Sequence, residues 1–553
     1  MKFSKLMIMA LAGMSLVGCA DLDTEPAGGT VTADQKADAV AQNPSLMSAS
    51  VNAIMTNFSV YEAVSSNHYD FGYPAIMLFT DSRGIDMVGM DIGYNWFSYG
   101  FDFVDMRMTS TVNRMIWSTF YNQIYTANQV AGTIDPDTED SQLKFYLAQA
   151  LAVRAFDYFM LAQLYQFTYQ GNEDAPCVPL ITNENADEAA ANGCARSTVG
   201  EVYAQITKDI DKAIELLSAS SMKRADKRYV SLDVAYGIRA RINLVKNDWA
   251  AALSDANNAL ANTSATPISY EEASKPGFVS MTEPNWMWGI YIAETDRVVT
   301  SGILNFPSHM GSLNYGYASV GAWRRINSSL YAQIGDGDAR KGWWLDASGV
   351  SANLSEEQQD YLTDAGCPAY TQTKFAPYGD EIYTSTNACD IPLMRVEEMY
   401  LIKAEAEAMS GNPTAGAATL QAFVQAYRDP AYTCTAATAE AVQNAAWVQR
   451  RIELWGEGLS WYDLMRMRKG VDRAATAWKS MDSKMAAYNF RIADTFEAER
   501  AAISKVKSGN GGVSGEDINV LIYQIPEAET EANQLIDKSD NNLGAPTNLI
   551  PVQ

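Results

Sequence analysis

Two glutamates near the C-terminus have a spacing that acid/base chemistry can use. Glu453 and Glu457 lie one helical turn apart in the segment RRIELWGEGLSWYDLMR, which runs from Arg450 to Arg466. A general acid needs a carboxyl group with a raised pKa, whereas neighbouring arginines stabilise the ionised carboxylate. Two glycines in the segment supply the permissive backbone of a turn. We therefore predict a structural role, a charged and aromatic contact between two packed helices.

Other patterns of catalytic or metal-binding residues are missing from the sequence. There are two histidines, His68 and His309, and no H-E-x-x-H, G-x-S-x-G or G-x-x-x-x-G-K pattern. Asp336 and Asp338 form an acidic pair, but their spacing matches no complete EF-hand loop. The chain is therefore predicted to be a non-enzyme without cofactor or metal. Because its 66 Asp and Glu residues include many possible carboxylate pairs, a glycoside hydrolase is the alternative.

Length and charge narrow the class of protein further. The chain has 553 residues, of which 47% are hydrophobic and 11% aromatic, enough to bury a large core in one large domain or two fused ones. The formal net charge of -25 repels a phosphate backbone. Nucleic acid is therefore excluded as an expected partner.

The N-terminus has the features of a bacterial lipoprotein signal. Two lysines precede the apolar run Leu6–Val17, and the tetrapeptide LVGC ends at Cys19. This run is shorter than the roughly 20 residues of a membrane-spanning helix. We predict cleavage of residues 1–18 and lipidation of Cys19, whose several acyl chains would hold the protein at a membrane. Residues 19–42 are predicted to be the tether.

Five cysteines follow the lipidation site, and none belongs to a C-x-x-C pattern. An exported protein enters an oxidising compartment in which disulfides persist. Cys177 with Cys194, and Cys367 with Cys389, lie in loop-like sequence at short separation. These two pairs are the predicted disulfides, and Cys434 is left unpaired.

Helical periodicity dominates the chain outside two regions. Apolar residues recur at steps of three and four, and Thr198 with Glu201 has the spacing of a capping box. Asn412 followed by Pro413 is typical of an N-cap and first helical position. The predicted helices form pairs: 113–132 with 141–165, 199–217 with 231–245, 395–410 with 414–427, and 441–455 with 459–468.

These pairs predict a mostly α fold of divergent tetratricopeptide-like hairpins. Small residues, such as alanines, recur where helices must approach closely, although the period of about 34 residues is not kept cleanly. We place the repeat scaffold at approximately 113–261 and 395–470, within a domain of residues 43–553. An irregular helical bundle is the alternative.

Two regions break the helical pattern and are predicted to bind the ligand. Residues 67–107 and about 266–390 are rich in Gly, Tyr, Trp and Asn, with short β-like pieces such as WMWGIYIA. We predict long loops and short strands inserted between the hairpins. Loops on a rigid scaffold are where binding residues usually lie.

Five blocks of sequence follow the lipoprotein signal in order. They are WSTFYNQIYTAN (Trp117–Asn128), ALAVRAFDYFMLAQLY (Ala150–Tyr165), CDIPLMRVEEMYLIKAEAEAMSGN (Cys389–Asn412), RRIELWGEGLSWYDLMRMRKG (Arg450–Gly470) and LIYQIPEAETEAN (Leu521–Asn533). Together they resemble the SusD/RagB family of surface-exposed nutrient-binding lipoproteins. One departure is Ser460, where the family pattern commonly has arginine, and this should weaken one ion pair. Asp21, Asp23 and Glu25 are also similar to the family's surface-export signal.

The resemblance implies a binding function without chemistry. Family members bind a glycan, or less often a peptide or another nutrient, at the outer membrane and face the cell exterior. They cap a SusC-like TonB-dependent transporter and deliver the ligand into it. The helical face is expected to meet the transporter, and the ligand site is expected in the loop-rich half. A scaffold that binds only protein partners is a further alternative.

Aromatic and polar residues in the loop-rich regions are compatible with a sugar site. Sugars present apolar C–H faces and hydroxyl edges, which aromatic rings and polar side chains recognise. The alternative for each aromatic residue is a structural ring folded under its own loop. The predicted ligand-binding residues are Asp81, Arg83, Tyr94, Asn95, Trp96, Tyr99, Tyr315, Tyr317, Trp323 and Arg324.

Overall fold

Helices form most of the chain in the computed structural model, which describes residues 32–89, 96–98, 104–469 and 522–542. The helices are α1 (Ala33–Gln42), α2 (Ser48–Thr56), α3 (Tyr73–Arg83), α4 (Thr111–Ala131), α5 (Ser141–Tyr165), α6 (Ala186–Asn192), α7 (Val199–Ala219), α8 (Leu232–Val245), α9 (Trp249–Asn262), α10 (Tyr270–Ala273), α11 (Arg297–Thr300), α12 (Phe306–Met310), α13 (Ser328–Tyr331), α14 (Glu356–Asp364), α15 (Val396–Met409), α16 (Pro413–Tyr427), α17 (Ala439–Glu453), α18 (Ser460–Arg466) and α19 (Glu527–Ala532). None of these described helices combines the length and apolar character needed to cross a bilayer.

The scaffold is a stack of antiparallel helices. Helices α4, α5, α7, α8, α9 and α15 pack on one another in that order, and α15 packs on both α16 and α17. The close approach of α15 and α16 requires a small residue, since a Cβ on Gly416 would lie 2.4 Å from the Ala404 carbonyl oxygen. The predicted mostly α fold with stacked hairpins is confirmed.

Helix starts follow the capping signals in the sequence. The Thr198 hydroxyl accepts from the Glu201 N–H, and the Glu201 carboxylate accepts from the Thr198 N–H, which completes the predicted capping box. Asn412 caps α16 through the Ala415 N–H. A second capping box, Thr32 with Gln35, begins α1. Helix α1 therefore lies within residues 19–42, the segment predicted to be the tether.

The loop-rich regions contain short strands, as predicted, and also helices that were not predicted, α3 and the shorter α10 to α14. All eleven residues of α3 are buried, including its polar ones. A helix buried on every side has no polar face and so gives no amphipathic stripe in the sequence. The prediction that residues 67–107 consist of loops and short strands is wrong at α3.

Three two-stranded antiparallel sheets are present in the described residues. The strands are β1 (Met87–Val88), β2 (Pro176–Pro179), β3 (Arg196–Thr198), β4 (Trp286–Ile290), β5 (Arg325–Ile326) and β6 (Ile391–Arg395), paired as β1–β5, β2–β3 and β4–β6. Met87 pairs with Ile326 and Val88 with Arg325. The β1–β5 sheet therefore joins the two loop-rich regions, which are far apart in sequence.

The five described cysteines are free thiols, so the predicted disulfides are wrong. Cys367 packs against a small apolar cluster of leucines. Cys389 lies elsewhere, in the lining of a small cavity beside Phe306 and Ile391. Cys177 is fully buried, while the thiol of Cys194 lies 3.7 Å from the Leu180 carbonyl oxygen. Short sequence separation therefore did not lead to a sulfur–sulfur bond in either pair.

Candidate ligand-binding site

Glu453 lies in a buried cluster of arginines. Its carboxylate accepts hydrogen bonds from Arg428 at 2.8 Å, Arg395 at 3.0 Å and Arg340 at 3.1 Å. All four side chains are fully buried. Burial raises the pKa of Glu453, but the guanidinium groups, Arg428 first, hold it well below its usual range. The carboxylate is ionised and saturated with donors, so it has no proton to give to a substrate.

Glu457 is held in the same way at the turn after α17. It accepts from Lys374 at 2.6 Å and from Arg395 at 2.8 and 2.9 Å. Burial raises its pKa, but Arg395 and Lys374 lower it below the ordinary value. Burial also lowers the pKa of Lys374 to about 8, against the opposite effect of Glu457.

The remaining charges of this segment pair across helices. Arg450 donates to Asp463 at 2.8 Å, and Arg466 donates to Asp463 at 2.7 Å and to Glu405 at 2.6 Å. Arg466 thereby connects α18 to α15. The predicted structural contact between packed helices is confirmed, and the segment is not a site of acid/base chemistry.

A cleft of about 300 Å³ opens elsewhere, in the loop-rich region, and reaches the lower end of the roughly 300–1,000 Å³ typical of ligand pockets. The described lining mixes rings, hydroxyl groups, an amide and a guanidinium group. The lining residues are Asn67, Tyr69, Trp96, Val104, Arg107, Thr109, Ser110, Thr111 and Val112. Ser110 is the N-cap of α4, and its side chain makes no capping hydrogen bond there.

Trp96 is the aromatic platform of this cleft. Its ring is partly buried and stacks on the His68 ring, with centroids 4.9 Å apart and planes at 28°. The Tyr69 ring meets it edge-on at 6.3 Å. Trp96 is therefore held by rings on the protein side. A flat, rigid ring at the wall of a ligand-sized cleft is suited to stack on the apolar face of a sugar.

The His68 ring connects Trp96 to two further rings, those of Tyr317 and His309. The His68 Nδ1 atom is hydrogen-bonded to the Tyr317 hydroxyl. Tyr317 stacks on His309 at 4.7 Å, and His309 Nε2 is 2.9 Å from the His68 carbonyl oxygen. His309 is completely buried, and burial holds its pKa well below the ordinary value, so its imidazole is neutral. Both histidines of the chain thus connect the cleft to α12 and the loop after it.

The predicted site residues divide into four groups, of which one, Asp81, Arg83, Trp323 and Arg324, is buried. Trp96 lines the cleft, and Tyr317 supports it through His68. Tyr315 lies outside the cleft lining and is 36% exposed. Tyr94, Asn95 and Tyr99 lie outside the described residues, as does Cys19.

Trp323 and Arg324 are buried residues and do not line the cleft. Trp323 is 5% exposed, so its ring has no open face for a ligand. Arg324 donates from Nε to the His309 carbonyl oxygen at 2.9 Å, and burial lowers its pKa to about 9. Both side chains were predicted to contact the ligand, but in this structure they are buried and lie outside the cleft lining, because the loop that carries them folds inward.

Asp81 and Arg83 are also buried, at the end of α3. Arg83 pairs with Asp105 at 2.8 Å, and its guanidinium group lies 4.7 Å from the Trp461 ring centroid. Asp81 accepts from the N–H groups of Gly458 and Ser460 at 3.0 and 3.3 Å. Burial raises the pKa of Asp81 to about 7, and the two N–H groups oppose this. Both residues were predicted to contact the ligand, but the structure places them in a core helix and outside the cleft lining.

Ser460 lies beside a small cavity of about 10 Å³, next to Asp81 and Asp86. Its hydroxyl lies 3.2 Å from the Asp86 carboxylate, which also forms a bidentate pair with Arg451. The family pattern commonly has arginine at position 460, where it would lie beside these two buried carboxylates. The ion pair expected to be weakened by Ser460 is therefore one with Asp81 or Asp86. Within the described part of the chain, the hydrogen bonds that Asp81 accepts come from neutral backbone donors.

The polar edge of the cleft was missed by the sequence analysis. Asn67, Tyr69 and Arg107 belong to a predicted ligand region but were not selected, because single polar residues carry no periodic signal. The run from Thr109 to Thr111 had a usable signal. Ser and Thr at a helix start are typical caps, and their hydroxyl groups lie at the helix edge.

Comparison with known proteins gives the family. A profile described as "Starch-binding associating with outer membrane" matches residues 34–244, and one described as "SusD family" matches residues 355–544. The chain belongs to the SusD/RagB family. A curated relative, SusD-like protein P2 of Formosa agariphila, is 24% identical over 397 residues, covering 64% of this chain and 71% of the relative.

Solved structures share the fold. A SusD-like carbohydrate-binding protein from Bacteroides vulgatus matches with a TM-score of 0.63 and 24% identity, covering 80% of this chain and 85% of that protein. A laminarin-binding SusD-like protein matches with a TM-score of 0.55 and 18% identity, covering 93% of this chain and 99% of that protein. At these identities the comparison establishes the architecture.

Proposed function

We propose that the chain is a cell-surface lipoprotein that captures a glycan and passes it to a SusC-like TonB-dependent transporter in the outer membrane. Family membership supports the class of protein. The observation that carries the proposal is the cleft of about 300 Å³ in which Trp96 forms one wall. Its ring is fixed before the ligand arrives, which reduces the entropic cost of binding.

The lining chemistry fits a sugar. Trp96 offers a ring face for the C–H surface of a pyranose, while Asn67, Thr109 and Thr111 offer an amide and hydroxyl groups for its hydroxyl edge. Arg107 adds further donors. Hydrolysis requires two carboxyl groups across the scissile bond, and the described part of the lining supplies donors and a stacking face instead. We therefore propose binding without catalysis.

The anchor and the transporter partner belong to the same proposal. Residues LVGC ending at Cys19 support lipidation, and the family supports a location on the exterior face of the outer membrane. Replacing Cys19 with Ala should release the protein from the membrane fraction, and continued membrane association would contradict lipid anchoring. Gentle detergent extraction should recover the wild-type chain together with a TonB-dependent barrel, and recovery of the chain alone would contradict the partnership.

A glycan array with soluble protein beginning after Cys19 tests the binding function. We expect retention on one class of glycan, followed by recovery of that glycan at its original length after prolonged incubation. Shortened products would favour a surface hydrolase. Retention on peptides and on no glycan would favour a peptide-binding member of the family, and retention on neither would contradict the proposal.

A further inference from the structure

Three tyrosines form an exposed aromatic surface separate from the cleft lining. Tyr315 is 36% exposed and Tyr383 is 45% exposed, and their rings meet edge-on with centroids 5.1 Å apart and planes at 88°. The partly buried Tyr361 ring lies 5.9 Å from the Tyr383 ring. We call Tyr315, Tyr361 and Tyr383 the tyrosine triad. Large rings in contact at the surface expose apolar area that the fold does not use.

The triad is held by a fixed backbone. The Tyr315 N–H donates to the Thr384 carbonyl at 3.2 Å, and the Tyr383 N–H donates to the Leu313 carbonyl at 2.8 Å. The Asn387 amide donates to the Tyr315 carbonyl at 3.0 Å. Hydrogen bonds therefore join two loops that are distant in sequence, directly beneath the exposed rings. The backbone that carries the rings is held in place by these bonds.

The conformation of Tyr383 is unfavourable for a tyrosine. Its φ is +61°, in the left-handed region, where a bulky side chain is an outlier and Asn or Gly is favoured. Such strain persists only where the surrounding structure enforces it, and it is concentrated at functional positions. If the fold required only a turn at this position, glycine or asparagine would form it with less backbone strain. A large, exposed ring on a strained backbone therefore points to a use outside the core.

The triad is close to the cleft along the chain. Tyr315 and Tyr317 are separated only by Gly316, so their Cα atoms are at most about 7.6 Å apart. The Tyr317 hydroxyl is bonded to His68, which stacks on Trp96. These side-chain contacts, together with the backbone from Tyr317 to Tyr315, thus link the platform of the cleft to the triad.

We propose that the tyrosine triad is a second carbohydrate-contact site, which holds a more distant part of the same polysaccharide chain whose other residues occupy the Trp96 cleft. The inference rests on the proposed glycan-binding function. The triad takes pyranose rings through stacking on its aromatic faces. Once one site holds the polymer, binding at the second becomes intramolecular, which raises the overall affinity for long chains.

The test compares polymers with short oligosaccharides. Affinity electrophoresis in gels containing laminarin, soluble starch or arabinoxylan identifies a polymer that retards the wild type, and calorimetry measures the affinity for that polymer and for its trisaccharide. Tyr383→Asn removes the ring but suits the left-handed backbone, so the melting temperature should be unchanged or slightly higher. Tyr383→Phe retains the ring. Tyr125→Ala removes an exposed tyrosine on α4 as a control.

We expect Tyr383→Asn to weaken polymer binding about 2- to 12-fold and to leave trisaccharide binding unchanged, while the Phe and Tyr125 variants match the wild type. Unchanged polymer affinity in Tyr383→Asn would overturn the inference while leaving the proposed function intact. An equal loss for polymer and trisaccharide would also overturn it, because the triad would then belong to the cleft site. A wild type that no polymer retards would contradict the proposed function and the inference together.

Discussion

Replacing Glu453 with Gln should destabilise the protein strongly. The change keeps the shape of the side chain but removes the negative charge that three buried arginines share, and it adds an amide donor facing their donors. Removing one partner of a buried ion pair costs roughly 3–5 kcal/mol. Arg340 keeps Asp338, and Arg428 keeps Glu397. The lower end of that range, about 3 kcal/mol, is therefore expected.

Urea unfolding followed by circular dichroism measures this difference. Glu440→Gln, an exposed glutamate in the first turn of the same helix, is the matched control and should change stability by less than about 0.5 kcal/mol. Salt should affect the Glu453 variant little, since buried pairs are poorly screened. A Glu453→Gln protein as stable as the control variant would refute the assignment of this carboxylate to fold stability.

Three further predictions concern the same core. The pKa of Asp81 is about 7 in the folded state, against an ordinary value of 3.8 in the unfolded state. The folded protein therefore binds the extra proton between these pH values, and its stability should fall as the pH rises from about 4 to 7. Melting curves of Asp81→Asn should lack this pH dependence. Gly458→Ala, at φ +76° with its new Cβ 2.6 Å from Met77, should lower the melting temperature more than Gly349→Ala, at φ +83° in open space. Trp323→Ala should cost roughly 3–5 kcal/mol in unfolding experiments, because the ring is 5% exposed, and a near-neutral result would contradict its burial.

Much of the scaffold could be predicted because its helices are amphipathic and carry local start signals. The hairpin 199–217 with 231–245 corresponds to α7 and α8, and the capping box at Thr198 has the predicted geometry. Helix α3 could not be found in this way. It is surrounded by protein on every side, so the contrast between a polar and an apolar face is lost.

The candidate site could be predicted only in part. Trp96 and Trp323 both occur in loop-like sequence rich in Gly and Tyr, yet one lines a cleft and the other is buried. Composition indicates that a loop carries rings, but tertiary contacts decide which rings face inward. The role of His68 depends on stacking with a residue 28 positions away and on a hydrogen bond to Tyr317, 249 positions away. No local pattern contains that information.

The charged segment shows the opposite situation. Glu453 and Glu457 have neighbours in sequence whose charges already indicate ionised carboxylates, and the structure confirms that state. The actual partners of Glu453 are Arg340, Arg395 and Arg428, which come from other elements. Local sequence was sufficient for the protonation state but not for the identity of the partners.

The most direct test of the central claim is the affinity of Trp96 variants for the glycan retained on the array. Trp96→Ala should weaken binding about tenfold, since it loses a stacking contact worth roughly 0.5–1.5 kcal/mol together with buried area. Trp96→Phe should retain part of that affinity, and the melting temperature of Trp96→Ala should fall by less than that of Trp323→Ala, because the Trp96 ring is only partly buried. Wild-type affinity in Trp96→Ala, measured by calorimetry on a correctly folded protein, would contradict the assignment of the cleft as the glycan site.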